Sequence, residues 1–199
     1  MKTFFAMIDR LDATVPPDRA ACETSIWAAY GVEMAILALD MSNFSLFVRR
    51  NGIIPYLCKI RRMQQVTAPI VAAMSGHAVK YEADNMMAVF PTCADALGAA
   101  VKINEVLAEH VGADGDTLAV SIGIDYGRFL MIPGTDCYGD PVNRAYKLGE
   151  DIARAGEILI TKECRERLGE TAPYPFLEEH LSVSGLEMVA FRVQYKPPV

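Results

Sequence analysis

The sequence predicts an α+β sandwich, with helices packed on a mostly antiparallel sheet. Three observations carry this. Short apolar runs of strand length alternate with longer segments whose apolar residues recur every three or four positions. The element order they give, β-α-α-β-β-α-β-β-α-β, contains adjacent strands without intervening helices, as antiparallel pairs require. A chain of 199 residues that is 52% hydrophobic can also bury a core without a disulfide or metal staple.

Residues 1–33 read as a lead-in, polar from Asp12 to Glu23 and carrying Pro16-Pro17, and 34–199 as the domain proper. Met34–Asp40 is a buried strand whose end presents Asp40. The next helix has Pro55 in its first turn and a core face of Ile53, Leu57, Ile60, Met63, Ile70 and Met74. Pro69 should kink or divide it, and Gly76 ends it. Residues 77–90 form a hairpin turning at Ala83-Asp84-Asn85, with Asp84 or Asn85 taking the positive φ. Thr92 caps a helix whose buried face is Ala96, Ala100, Ile103 and Leu107, with Asp95 completing the capping box.

Leu118, Val120, Ile122 and Ile124 alternate along one strand, and a Tyr126-Gly127 break separates it from a second at Phe129–Pro133. Asp140-Pro141 opens a helix with a stripe of Val142, Ala145, Leu148 and Ile152. Glu157–Thr161 is a strand, Thr161 caps a short helix ending at Gly169, and the tail is a hairpin turning at Ser184-Gly185.

Charge and cysteine usage exclude several classes of function. Nineteen basic against 25 acidic residues give a net charge of −6, which argues against a nucleic-acid binder. No apolar run is long enough for a signal peptide or a membrane span. The five cysteines and three histidines are scattered without zinc-ligand spacing, which fits a reducing, cytoplasmic setting. Asp40 and Asp84 lie at adjacent element ends, where two carboxylates can share hard cations such as Mg²⁺. The amides of Ser42, Asn43, Phe44 and Ser45 open a helix beside them, where free N–H groups can hold phosphate.

Five segments then carry a resemblance. Asp40-Met41-Ser42-Asn43-Phe44-Ser45 is similar to D-x-x-G-F-[ST], and Lys80 to Phe90 to K-T-x-G-D-G-x-M-A-x-F. Asp136 to Lys147 follows D-x-[WFY]-G-x-x-V-N-x-A-x-[RK]; SIGIDYGRF and AGEILIT match two further segments in order. Together they resemble the catalytic domain of the class III nucleotidyl cyclases, which form cyclic AMP or cyclic GMP from the triphosphate. The resemblance implies a ferredoxin-like cyclase sandwich and a homodimer with two equivalent sites. It makes Asp40 and Asp84, helped by the Met41 carbonyl, ligands of two divalent cations, Mg²⁺ or Mn²⁺. It assigns Lys80 and Asp136 to reading adenine, Asn143 to orienting the ribose and Lys147 to steadying charge on the phosphate. ATP is therefore the expected substrate.

The chain departs from the pattern at several points. Lys147 stands where arginine is usual, Asn43 and Ala83 replace glycines, and LSVSGLEM lacks a phosphate-binding lysine. These departures keep two alternatives open: a guanylate or pyrimidine nucleotide cyclase, and a catalytically weak nucleotide-binding module.

Overall fold

The computed structural model describes residues 1–41, 44–112, 115–170, 172–183 and 186–195, without the side chains of Phe44, Ser45, Leu46, Val183 and Leu186. Two helices, α1 (Lys2–Asp12) and α2 (Arg19–Tyr30), precede β1 (Gly31–Met41), α3 (Phe44–Asn51), α4 (Ile53–Ala73), β2 (His77–Glu82), β3 (Asn85–Phe90) and α5 (Cys93–Glu109). Then come β4 (Val120–Ile132), β5 (Asp136–Tyr138), α6 (Asp140–Tyr146) and a turn of wider π-helix (Lys147–Ile152). β6 (Ile158–Thr161), α7 (Lys162–Leu168), β7 (Phe176–Val183) and β8 (Leu186–Val193) complete the chain.

The strands form one sheet in the order β2-β3-β1-β4-β6-β8-β7, with β5 paired to β4. Every pairing is antiparallel except β4 with β6. This is the α+β sandwich the sequence predicts. β1 is buried on both faces, which explains its nearly unbroken apolar run. Leu37 and Leu39 pack with Ile60, Met63, Ile103 and Leu107 of α4 and α5. Ile36 and Ala38 face the opposite way, toward Val142 and Ala145 of α6.

Local signals behave as chemistry dictates. Thr92 accepts from the Asp95 amide and Thr161 from the Cys164 amide, while Gly169 closes α7 with φ 66°. Elsewhere packing overrides the sequence pattern. The buried stripe of α4 is Tyr56, Ile60, Met63, Thr67 and Val71, whereas Ile53 and Leu57 are exposed. α4 also runs through Pro69 as one helix. β4 crosses Gly127 without a break: that glycine exists because a Cβ there would meet Pro141 Cγ at 2.7 Å. The positive φ of the β2–β3 turn falls on Ala83, at 50°, and not on Asp84 or Asn85. Residues 2–30 are mostly helical, with Phe4 and Ile26 buried against Ile132 of β4. The turn expected at Ser184-Gly185 lies outside the described residues. Among those described, no helix is long and apolar enough to cross a membrane.

Candidate active site

The site begins at the end of β1. Asp40 is paired in register with Asn85, the first residue of β3, so both side chains stand on the α6 face of the sheet. Asp84 precedes Asn85 at the hairpin tip, where the Tyr56 hydroxyl of α4 donates to Asp84 Oδ2 at 3.1 Å. Burial pushes the Asp40 carboxyl up to about 7, and the charges of Asp84 and Glu150 push the same way. Burial, with the charge and hydrogen bond of Asp84, likewise raises the Tyr56 phenol. Met41 is buried in the core and pairs with Val120. Ser42 and Asn43 lie outside the described residues, as do the side chains of Phe44 and Ser45, although the α3 helix does open at Phe44.

A second group forms between β2 and β5. A bulge at Val79 shifts the β2 register so that Lys80 pairs with Met87 and shares its face. Lys80 Nζ thereby reaches Asp136 Oδ2 at 3.1 Å and Glu82 Oε2 at 3.2 Å. Burial works against the Lys80 charge, but the hydrogen bonds it donates to Asp136 and Glu82 outweigh that and raise its pKa. The two side chains that the resemblance assigns to base reading, Lys80 and Asp136, therefore touch each other. The pairing with Glu82 also exists, but on a carboxylate that is 74% exposed.

α6 carries Asn143, exposed on its surface, and leads into Lys147, half-buried at the start of the π turn. No hydrogen bond or ion pair among the described residues joins either to the two aspartates or to the Lys80–Asp136 pair. α6 itself is pinned. The neighbouring Arg144 donates through Nε to the fully buried Asp125 at 2.7 Å and through Nη1 to Asp140 at 2.6 Å. Asp125 also accepts from the Tyr126 amide and the Thr161 hydroxyl, so one carboxylate ties β4, α6 and the β6–α7 corner together.

The structure adds residues that motif reading missed. Tyr146 lies between Asn143 and Lys147 and feels the charges of Lys80, Glu150, Asp136 and Glu82; burial pushes its phenol to about 12. Glu150 lies near Asp40 and Asp84, and Asn85 Nδ2 donates to its Oε1 at 2.6 Å. In an α-helix Asn143, Lys147 and Glu150 would share a face. The Ala153 amide instead donates to the Leu148 carbonyl, five residues back, and this wider winding turns Glu150 off that line. A spacing rule built on 3.6 residues per turn has no means of seeing it.

The donor set at the end of β1 fits a hard divalent cation. Its chemistry is all oxygen, and Asn85 Oδ1 is buried there with no hydrogen-bond donor among the described residues. No group of three or more His, Cys, Asp or Glu side chains among them is drawn together tightly enough to hold a metal ion unaided.

No protein-family model matches the sequence, and no curated protein matches it. Solved structures do match. The guanylate cyclase domain from Catenaria anguillulae, solved in complex with GTP, superposes with a TM-score of 0.73 at 18% identity, over 81% of this chain and 96% of that one. An adenylate/guanylate cyclase/hydrolase from Silicibacter pomeroyi gives 0.71 at 25% identity, over 82% and 96%. An adenylyl cyclase from P. aeruginosa gives 0.72 at 18% identity, over 84% and 96%. This chain has the fold of the class III adenylyl and guanylyl cyclase catalytic domain, the fold its five motifs imply.

Proposed function

We propose that the chain is a nucleotidyl cyclase that converts ATP to 3′,5′-cyclic AMP and pyrophosphate at sites shared between two copies of itself. The observation that carries this reading is the conjunction, on a cyclase fold, of Asp40 beside Asp84 and of the Lys80–Asp136 contact at 3.1 Å. Asp40 and Asp84 would hold Mg²⁺ or Mn²⁺. Bound there, such ions lower the pKa of the ribose 3′-hydroxyl and neutralise the phosphates.

Lys80 and Asp136 present a donor beside an acceptor. The adenine edge offers the complement, N1 accepting from the ammonium and the exocyclic amine donating to the carboxylate. Guanine offers a carbonyl and an N–H there, so like would face like at a cost of a few kcal/mol. Asn143 orients the ribose so that its 3′-oxygen attacks the α-phosphorus in line. Lys147 steadies the charge that builds on the phosphate as pyrophosphate leaves, with a single ammonium in place of the guanidinium fork. Two sites per homodimer follow because each chain supplies every group once. The reading also makes 34–199 the cyclase domain and places the protein in the cytoplasm.

Incubating the purified chain with each of the four NTPs and Mn²⁺, and identifying products by mass, tests this. Cyclic AMP as the main product supports it. A cyclic product from GTP or a pyrimidine triphosphate alone overturns the base assignment, and no cyclic product from any NTP overturns the activity.

A further inference from the structure

The π turn rests on the same strand end that carries Asp40. Gly149 permits this approach: a Cβ there would stand 2.8 Å from the Ala38 carbonyl oxygen and 2.9 Å from the Gly123 amide nitrogen. The next residue, Glu150, consequently extends to the β2–β3 hairpin and takes the hydrogen bond from Asn85 Nδ2 at 2.6 Å. That bond fixes which way the Asn85 amide faces. With the nitrogen given to Glu150, Oδ1 is the atom left over, buried and without a donor among the described residues, on the residue paired with Asp40 and adjacent to Asp84. A buried carbonyl oxygen without a partner destabilises the fold, so its persistence there calls for a ligand that needs an oxygen. The resembling motif has glycine at this position, which has no side-chain oxygen to offer.

We propose that Asn85 Oδ1 is a third, neutral oxygen ligand of the cation held by Asp40 and Asp84, and that Glu150 is the residue that positions it. The inference rests on the cyclase reading, since it presupposes a cation at these aspartates. Glu150 acts through the amide it holds: it sets the direction of Oδ1 and polarises the group by accepting from its N–H. Partners of this kind typically change metal affinity ten- to a hundredfold.

The test is Mn²⁺ binding to the full chain without nucleotide, read from the paramagnetic resonance signal of free Mn²⁺, with circular dichroism as a check of folding. Asn85→Gly and Glu150→Ala should each weaken binding about tenfold or more. Their double variant should be no weaker than Asn85→Gly, because Glu150 acts through Asn85. Asn85→Ala gives a second reading should glycine unfold the hairpin. If Asn85→Gly and Asn85→Ala bind like the parent while Asp84→Asn loses binding, the third ligand is wrong and the two-aspartate site stands. If Glu150→Ala weakens binding equally in the presence and absence of Asn85, its positioning role is wrong. If Asp84→Asn also binds like the parent, the cation site itself is misplaced.

Discussion

Asp40 illustrates how a candidate metal-binding carboxylate is kept at odds with its surroundings. Its pKa of about 7 means that the native protein retains a proton which the unfolded chain releases near the ordinary value of 3.8. Between these two pH values the unfolded state therefore binds fewer protons, and the metal-free protein loses stability as pH rises. Asp40→Asn should remove that contribution. Thermal melts in chelator should show the parent losing stability from pH 5 to pH 8 more than the variant does, and the variant should be the more stable at pH 8. Parallel profiles would show that Asp40 does not carry the shift.

Lys80 and Asp136 are the other informative residues. Replacing the donor–acceptor order with Lys80→Glu and Asp136→Cys should depress turnover of ATP far more than that of GTP. Competition assays with both nucleotides would measure it, and an unchanged ratio would remove these residues from base reading. Lys80 and Asp136 were picked out in the sequence because both fall at fixed places in recognisable motifs; that they touch is visible only in the structure. Asn85 and Glu150 were not legible. Their meeting depends on a π turn, and nothing in the residue spacing encodes one.

At the scale of elements, α6 matters most, since it carries Asn143 and Lys147 and is anchored by Arg144 on Asp125. Asp125 is fully buried, and burial raises its pKa despite the hydrogen bonds from Thr161 and Arg144 that oppose this. Arg144→Gln strips the charge partner from a buried carboxylate and should cost about 3 kcal/mol or more, measured by urea denaturation. A loss below about 1 kcal/mol would mean that α6 is held by its apolar stripe alone.

Elements whose cause is local were legible: the caps at Thr92 and Thr161, the end at Gly169 and the stripe of α6. Elements whose cause is tertiary were not. Gly127 looks like a strand break but serves the close approach of Pro141. Ile53 and Leu57 fit a helical stripe with Ile60 and Met63, yet the core takes Tyr56 in their place. The helices α1 and α2 flank the polar, proline-bearing stretch that makes the lead-in look irregular, although Phe4 stacks on Tyr138 with ring centres 5.8 Å apart, next to the strand pair that bears Asp136.

At the scale of the whole molecule, the proposed site needs two copies. Asp40 and Asp84 of one subunit would act with Lys80, Asp136, Asn143 and Lys147 of the other. An Asp40→Ala chain keeps the base-reading and ribose groups, and an Asn143→Ala chain keeps both aspartates. Each homodimer should be nearly inactive, because every one of its sites lacks one element. A mixed dimer has one site lacking both and one complete. With random exchange half the dimers are mixed, so co-expression should restore activity to roughly a quarter of the parent, provided chemistry limits the rate. Cyclic nucleotide formation by the mixture, set against each variant alone, is the direct measurement. Recovery toward that level is the predicted result. Activity no higher than the mean of the two variants, with heterodimers present by mass, would contradict a site built across two subunits.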